Sequence, residues 1–133
     1  MPIHSTFNPQ HNLVISVLQA AIQPDELQYY SQRFTRTKAY QQASAFLLDA
    51  QLARIKSLPE IEPLIRCYGS VPQPARIVVV ANQPLEQVAR FEKVCRDANL
   101  NVIVFNALHP ACTWLGLDLV ETNQTIRRML KKA

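Results

Sequence analysis

The residue types able to do chemistry gather in two short stretches. Asn106-Ala-Leu-His-Pro-Ala-Cys-Thr113 holds an amide, an imidazole, a thiol and a hydroxyl. It follows a predicted sheet strand, and α/β folds often place ligands at that end. Arg33-Phe-Thr-Arg-Thr-Lys-Ala-Tyr40 interleaves cations with aromatic rings. Such mixing can hold phosphates and stack bases, so Arg33, Arg36, Lys38 and Tyr40 are candidate nucleic-acid contacts. The competing reading puts Phe34 and Tyr40 in the core beside solvated charges.

Stronger motifs are absent. With glycine only at 69 and 116, there is neither a GxxxxGK phosphate loop nor a GxGxxG turn. GxSxG, HExxH and CxxC are also missing, and His4, His11 and His109 are scattered. The sequence therefore nominates no metal site and no cofactor. Asp25/Glu26 reads as a helix start and Glu60/Glu62 as exposed loop charge. Cys67, Cys95 and Cys112 are odd in number and widely spaced, which fits reduced thiols packed as small apolar groups.

The elements that must position these groups come from a chain of 133 residues, 48% apolar and 18% charged. That suits one domain without staples. The expected division is a flexible arm over 1–12 and a single α/β domain over 13–133. The net charge of +4 permits an acidic partner without requiring one. A second basic cluster, Arg127, Arg128, Lys131 and Lys132, suits the negative end of a helix. No leader pattern opens the sequence and the longest apolar run is too short for a bilayer, so the expectation is cytoplasmic with no membrane partner.

Leu13 to Leu18 reads as a buried strand, and Pro24-Asp-Glu as a helix start. From Thr37 to Ser57, Ala39, Ala43, Phe46, Leu47, Ala50 and Ala53 fall three or four apart, which predicts one long helix ended by Pro59. A proline-punctuated connector from Pro59 to Pro74 follows, with a short helical turn at 61–67. The apolar runs 77–81 and 102–105 predict strands covered on both faces. Between them Leu85, Val88, Phe91, Cys95 and Ala98 trace the inner face of a helix capped by Asn82 and ended by a left-handed Asn99. A strand over 113–120 and a helix over 122–132 complete the expectation. The fold class is α/β, a four-stranded mostly mixed sheet sandwiched by helices, in the order β-α-α-β-α-β-β-α.

That order resembles the peptidyl-tRNA hydrolase family of archaeal and eukaryotic type. Lys38-Ala-Tyr-Gln-Gln-Ala-Ser-Ala45 is similar to that family's lysine-to-glutamine helix start. Phe91-Glu-Lys-Val-Cys-Arg-Asp-Ala-Asn-Leu100 with the strand after it resembles the penultimate helix and strand. Trp114-Leu-Gly-Leu-Asp-Leu-Val-Glu121 resembles the closing strand and helix. The resemblance implies a catalytic role for Lys38, with Asn106 where the family has a loop aspartate and Thr113 nearest its threonine. Ala45 stands where the family has histidine, and 19–37 replaces its glycine-rich approach. The implied function is therefore binding of tRNA or another nucleic acid rather than its hydrolysis. Ile77-Val-Val-Val-Ala-Asn82, Cys95 and Leu115-Gly116 are also similar to the kink-turn RNA-binding ribosomal protein family. The alternative is a non-catalytic protein-interaction subunit docking a partner through a helix or sheet edge.

Overall fold

The computed structural model describes residues 3–20, 23–53, 57–71 and 74–131. Residues 1–2 of the expected arm, 54–56 of the expected long helix, Pro72 and Lys132 lie outside these. Five strands form one sheet in chain order: β1 (Ile3–Asn8), β2 (Leu13–Ala20), β3 (Ala45–Ala53), β4 (Arg76–Val80) and β5 (Asn101–Phe105). β1 pairs antiparallel with β2, and every later pairing is parallel. The α/β class and mixed sheet stand, with five strands where four were expected.

One unexpected strand is β1, which replaces part of the expected arm. His4, Ser5, Thr6 and Phe7 pair with Val17, Ser16, Ile15 and Val14 across a tight hairpin. The Asn8 side chain accepts from the Gln10 N–H at 3.0 Å and Asn12 sits at φ 48°, both cheap for asparagine.

The parallel strands need crossovers. α1 (Pro24–Phe34) and α2 (Lys38–Gln42) link β2 to β3, α3 (Glu62–Tyr68) links β3 to β4, and α4 (Leu85–Asp97) links β4 to β5. The strand order always advances in one direction, so crossovers of one hand fall on one face. There Leu27, Tyr30, Phe34, Ile65, Tyr68, Phe91 and Cys95 pack against Val14, Leu18, Phe46, Leu48, Ile77 and Val79. α5 (Leu108–Leu115) and α6 (Leu119–Lys131) cover the other face, where Ala111, Leu115 and Ile126 meet Leu13, Ile15, Val17, Leu47, Val78 and Val80.

Two expected elements are corrected. The long helix over 37–57 is a five-residue helix followed by β3. Residues 45–50 are all buried, so both flanks of the segment are covered, which a central parallel strand demands and a one-sided helix does not. The strand over 113–120 is two helices. Gly116 at φ 72° stops α5, with the Leu117 N–H donating to the Cys112 carbonyl at 2.9 Å. Asp118 then accepts from the Glu121 N–H at 2.9 Å and starts α6.

Candidate functional site

The parallel registers separate the residues that the hydrolase resemblance brought together. Ala45, Arg76 and Asn101 are level at one end of the sheet, and Asp49, Val80 and Phe105 at the other. Lys38 lies before the start of β3, whereas Asn106 follows the end of β5. Four strand steps of about 3.3 Å put these ends about 13 Å apart. Thr113 sits on the exposed side of α5, donating its hydroxyl to the His109 carbonyl at 3.2 Å. Lys38, Asn106 and Thr113 therefore share no cleft.

The 106–113 stretch also disperses. It is mostly the first turns of α5, with Cys112 buried and His109 and Thr113 exposed. His109, Pro110, Thr113, Phe105 and Trp114 line a shallow depression of about 370 Å³. The Arg76 guanidinium lies 5.2 Å from the Trp114 ring centre.

Of the basic-aromatic stretch, Arg33, Arg36 and Lys38 are exposed. Arg33 lies over the Tyr29 ring at 5.5 Å and donates to the Tyr29 hydroxyl at 3.3 Å. Tyr40 is buried, donating to the Cys67 carbonyl at 2.9 Å, and presents no ring to a base. It joins Phe34, Phe46 and Tyr68 in one aromatic cluster. Beneath it Ser16, buried in β2, accepts from the Tyr68 hydroxyl at 3.0 Å, and Ser5 bonds both Ser16 and Tyr30. Burial raises the Tyr30, Tyr40 and Tyr68 hydroxyls above their ordinary range, so they stay neutral donors.

All three cysteines are free and buried. Burial raises the Cys67 and Cys112 thiols and, with the Glu62 carboxylate adding to it, lifts Cys95 to about 11. A nucleophilic thiol needs the opposite shift.

A mostly apolar recess lies where a 3-10 turn (Leu58–Ile61) packs on α4. The turn is started by Ser57, whose N–H donates to the Glu60 carboxylate at 2.8 Å, and carries Pro59 in its first positions. Gln87, Arg90 and Val94 come at i, i+3 and i+7 on α4 and so share one flank. With Ser57, Leu58, Pro59, Glu62 and Phe91 they line a groove of about 280 Å³. Phe91 forms its buried floor, whereas Val94 is 49% exposed on its rim. The Arg66–Glu62 ion pair, 2.7 Å, stands at the same wall.

Sequence reasoning placed Phe91 inward and missed Val94. The signal was an apolar residue off the inner stripe of the helix. Leu85, expected inward, is 81% exposed instead. α4 begins at Leu85, and Asn82 gives it no cap.

No family model and no curated protein matches the sequence. The fold is similar to the crystal structure of an anti-sigma factor antagonist from Mycobacterium paratuberculosis, with a TM-score of 0.55 and 15% identity. The likeness covers 85% of this chain and 93% of that one. It overturns both RNA-related resemblances: the chain has this antagonist's fold and not the expected peptidyl-tRNA hydrolase order, whose closing strand is helical here. The assignment of tRNA or other nucleic-acid binding falls with it. No helix among the described residues is long and apolar enough to cross a membrane.

Proposed function

We propose that the chain is a non-catalytic protein-interaction module that docks a partner across the groove between the 3-10 turn and α4. The observation that carries this reading is the groove itself. Val94 stands half-exposed over a floor of Phe91 and a wall of Pro59, a small apolar recess with polar residues at its rim. Apolar pockets rimmed by polar groups suit the anchor side chains that dominate protein interfaces. A groove of this size takes one or two such side chains. The fold is shared with a protein named as an antagonist of an anti-sigma factor, which is action on another protein. The scattered positions of Lys38, Asn106 and Thr113 supply no competing catalytic cleft.

The test is affinity capture from the source cell's lysate at low and high salt. Wild type retains one discrete protein at both, because apolar docking is little screened. Val94→Glu weakens retention at least about tenfold, the scale of one lost anchor, whereas Arg36→Ala leaves it unchanged. Loss of the captured protein in Arg36→Ala but not in Val94→Glu contradicts the reading.

A further inference from the structure

We propose that β5 pairs edge to edge with β5 of a second copy of this chain, antiparallel about a two-fold axis at Ile103, with Glu92 of each copy meeting Arg96 of the other. This goes beyond docking at the groove, which lies on the opposite flank of α4.

β5 is the last strand of the sheet. In a parallel ladder alternate residues face the neighbouring strand, and the Phe105 carbonyl accepts from the Ala81 N–H on the β4 side. Val102 and Val104 therefore direct their backbone groups outward. The Val104 N–H donates to the Glu92 carboxylate at 2.9 Å, so α4 guards one edge donor while the other outward groups of Val102 and Val104 have no hydrogen-bond partner among the described residues.

The flank of α4 above this edge carries Leu85, Glu92 and Arg96. At i, i+7 and i+11 they lie within about 40° of one another around the helix. Leu85 is 81% exposed there, an apolar side chain with little to cover it. Arg96 makes no ion pair among the described residues, and neither does Glu92. Between helix and strand runs a groove of about 700 Å³ lined by Glu92, Arg96, Asn99, Leu100, Asn101, Val102 and Ile103.

The charge order selects the occupant. A two-fold axis at Ile103 sets Val102 opposite Val104 of the second copy, which forms a hydrogen-bonded pair on each side of the axis. The half-buried Ile103 side chains then face each other. Glu92 is held at the level of Val104, and Arg96 lines the groove toward the other end of β5. The same axis brings each carboxylate opposite the other copy's guanidinium. Exchanging the guarded Val104 N–H for a backbone acceptor releases Glu92 for that ion pair. Such self-complementarity is what an isologous interface requires, and a foreign strand has no reason to match it. Five-residue edges bury less than the roughly 1,200 Å² of a stable interface, so the dimer is reversible and concentration-dependent.

Sedimentation velocity across a concentration series tests this on the full chain, with circular dichroism confirming that each variant is folded. Wild type is expected to show a monomer–dimer equilibrium. Glu92→Lys alone and Arg96→Glu alone each set like charges opposite and weaken it at least about tenfold. Mixing the two variants restores dimers to wild-type strength, since each supplies the charge the other lost. A wild type monomeric throughout the series overturns the proposal, as does a mixture no stronger than the separate variants. So does a foreign extended segment, and not a second copy, cross-linking to a probe at Ile103.

Discussion

Phe46→Ala is expected to lower the unfolding free energy by about 3–5 kcal/mol, the usual cost of emptying a packed aromatic site. Phe46 is wholly buried in β3 and stacks on Tyr68 with ring centres 4.6 Å apart. Phe34 meets it edge-on at 6.3 Å and Tyr40 is tilted against it at 6.3 Å. Through these contacts one side chain ties α1, α2 and α3 to the sheet. The neighbours belong to three different helices and cannot all close into the void. For a chain of this size the melting temperature should fall by about 10–20 °C. Leu52→Ala, on a 53% exposed residue of the same strand, should cost under about 1 kcal/mol. Equal effects at the two positions would mean that 45–53 is not the buried central strand described here.

Stability is also expected to fall steeply in alkali. Cys95 titrates near 9 when unfolded and is lifted to about 11 when folded, mainly by burial and then by Glu62. Tyr30 and Tyr68 are raised above 10, again mainly by burial, and Tyr68 by the most. A folded-state value above the unfolded one means that the unfolded chain loses its proton first. The contribution is thus intact below pH 9 and is lost as pH rises: through about 9–11 for Cys95, and above 10 for the tyrosines. Cys95 adds to this loss as pH rises from 9 to 11. Tyr68→Phe gives the internal check. At pH 7 it should cost about 1 kcal/mol through the lost bond to Ser16. The deficit against wild type should shrink above pH 10, because only wild type carries that titrating hydroxyl. Denaturant titrations at pH 7, 9 and 10.5 read both effects, and a deficit constant with pH would reject the account.

Which elements were legible follows from how many environments each pattern fits. The runs Ile77–Val80 and Val102–Val104 are β-branched and short, and nothing but a covered strand suits them. Pro24-Asp-Glu fixed the start of α1, and Asn99 at φ 62° ends α4 as its type suggests. Ala45–Ala53 fits two environments, since alanines and leucines three or four apart make a helical stripe and also a continuous buried run. Only its neighbours β2 and β4 decide between them, and they are distant in sequence. The Gly116-Leu-Asp118 punctuation did mark a helix stop and a new start, but the reading of 113–120 as a strand overrode it. That misreading also carried the family resemblance with it.

The site was less legible than the fold. The groove depends on a turn at 58–61 reaching a helix about thirty positions later. Neither half announces it, because Pro59 reads as a helix breaker and Val94 as one apolar residue among charges. The basic-aromatic stretch was the louder signal, yet Tyr40 spends its ring on the core. Residue type suggested chemistry there, and topology withdrew it.

The docking groove is tested most directly by placing a photo-activated cross-linking residue at Val94 in living cells, with the same residue at Arg36 for comparison. Illumination should join the Val94 position to one protein of discrete mass and leave the Arg36 position unmodified. An adduct formed equally from both positions, or one that nuclease digestion removes, would contradict the account.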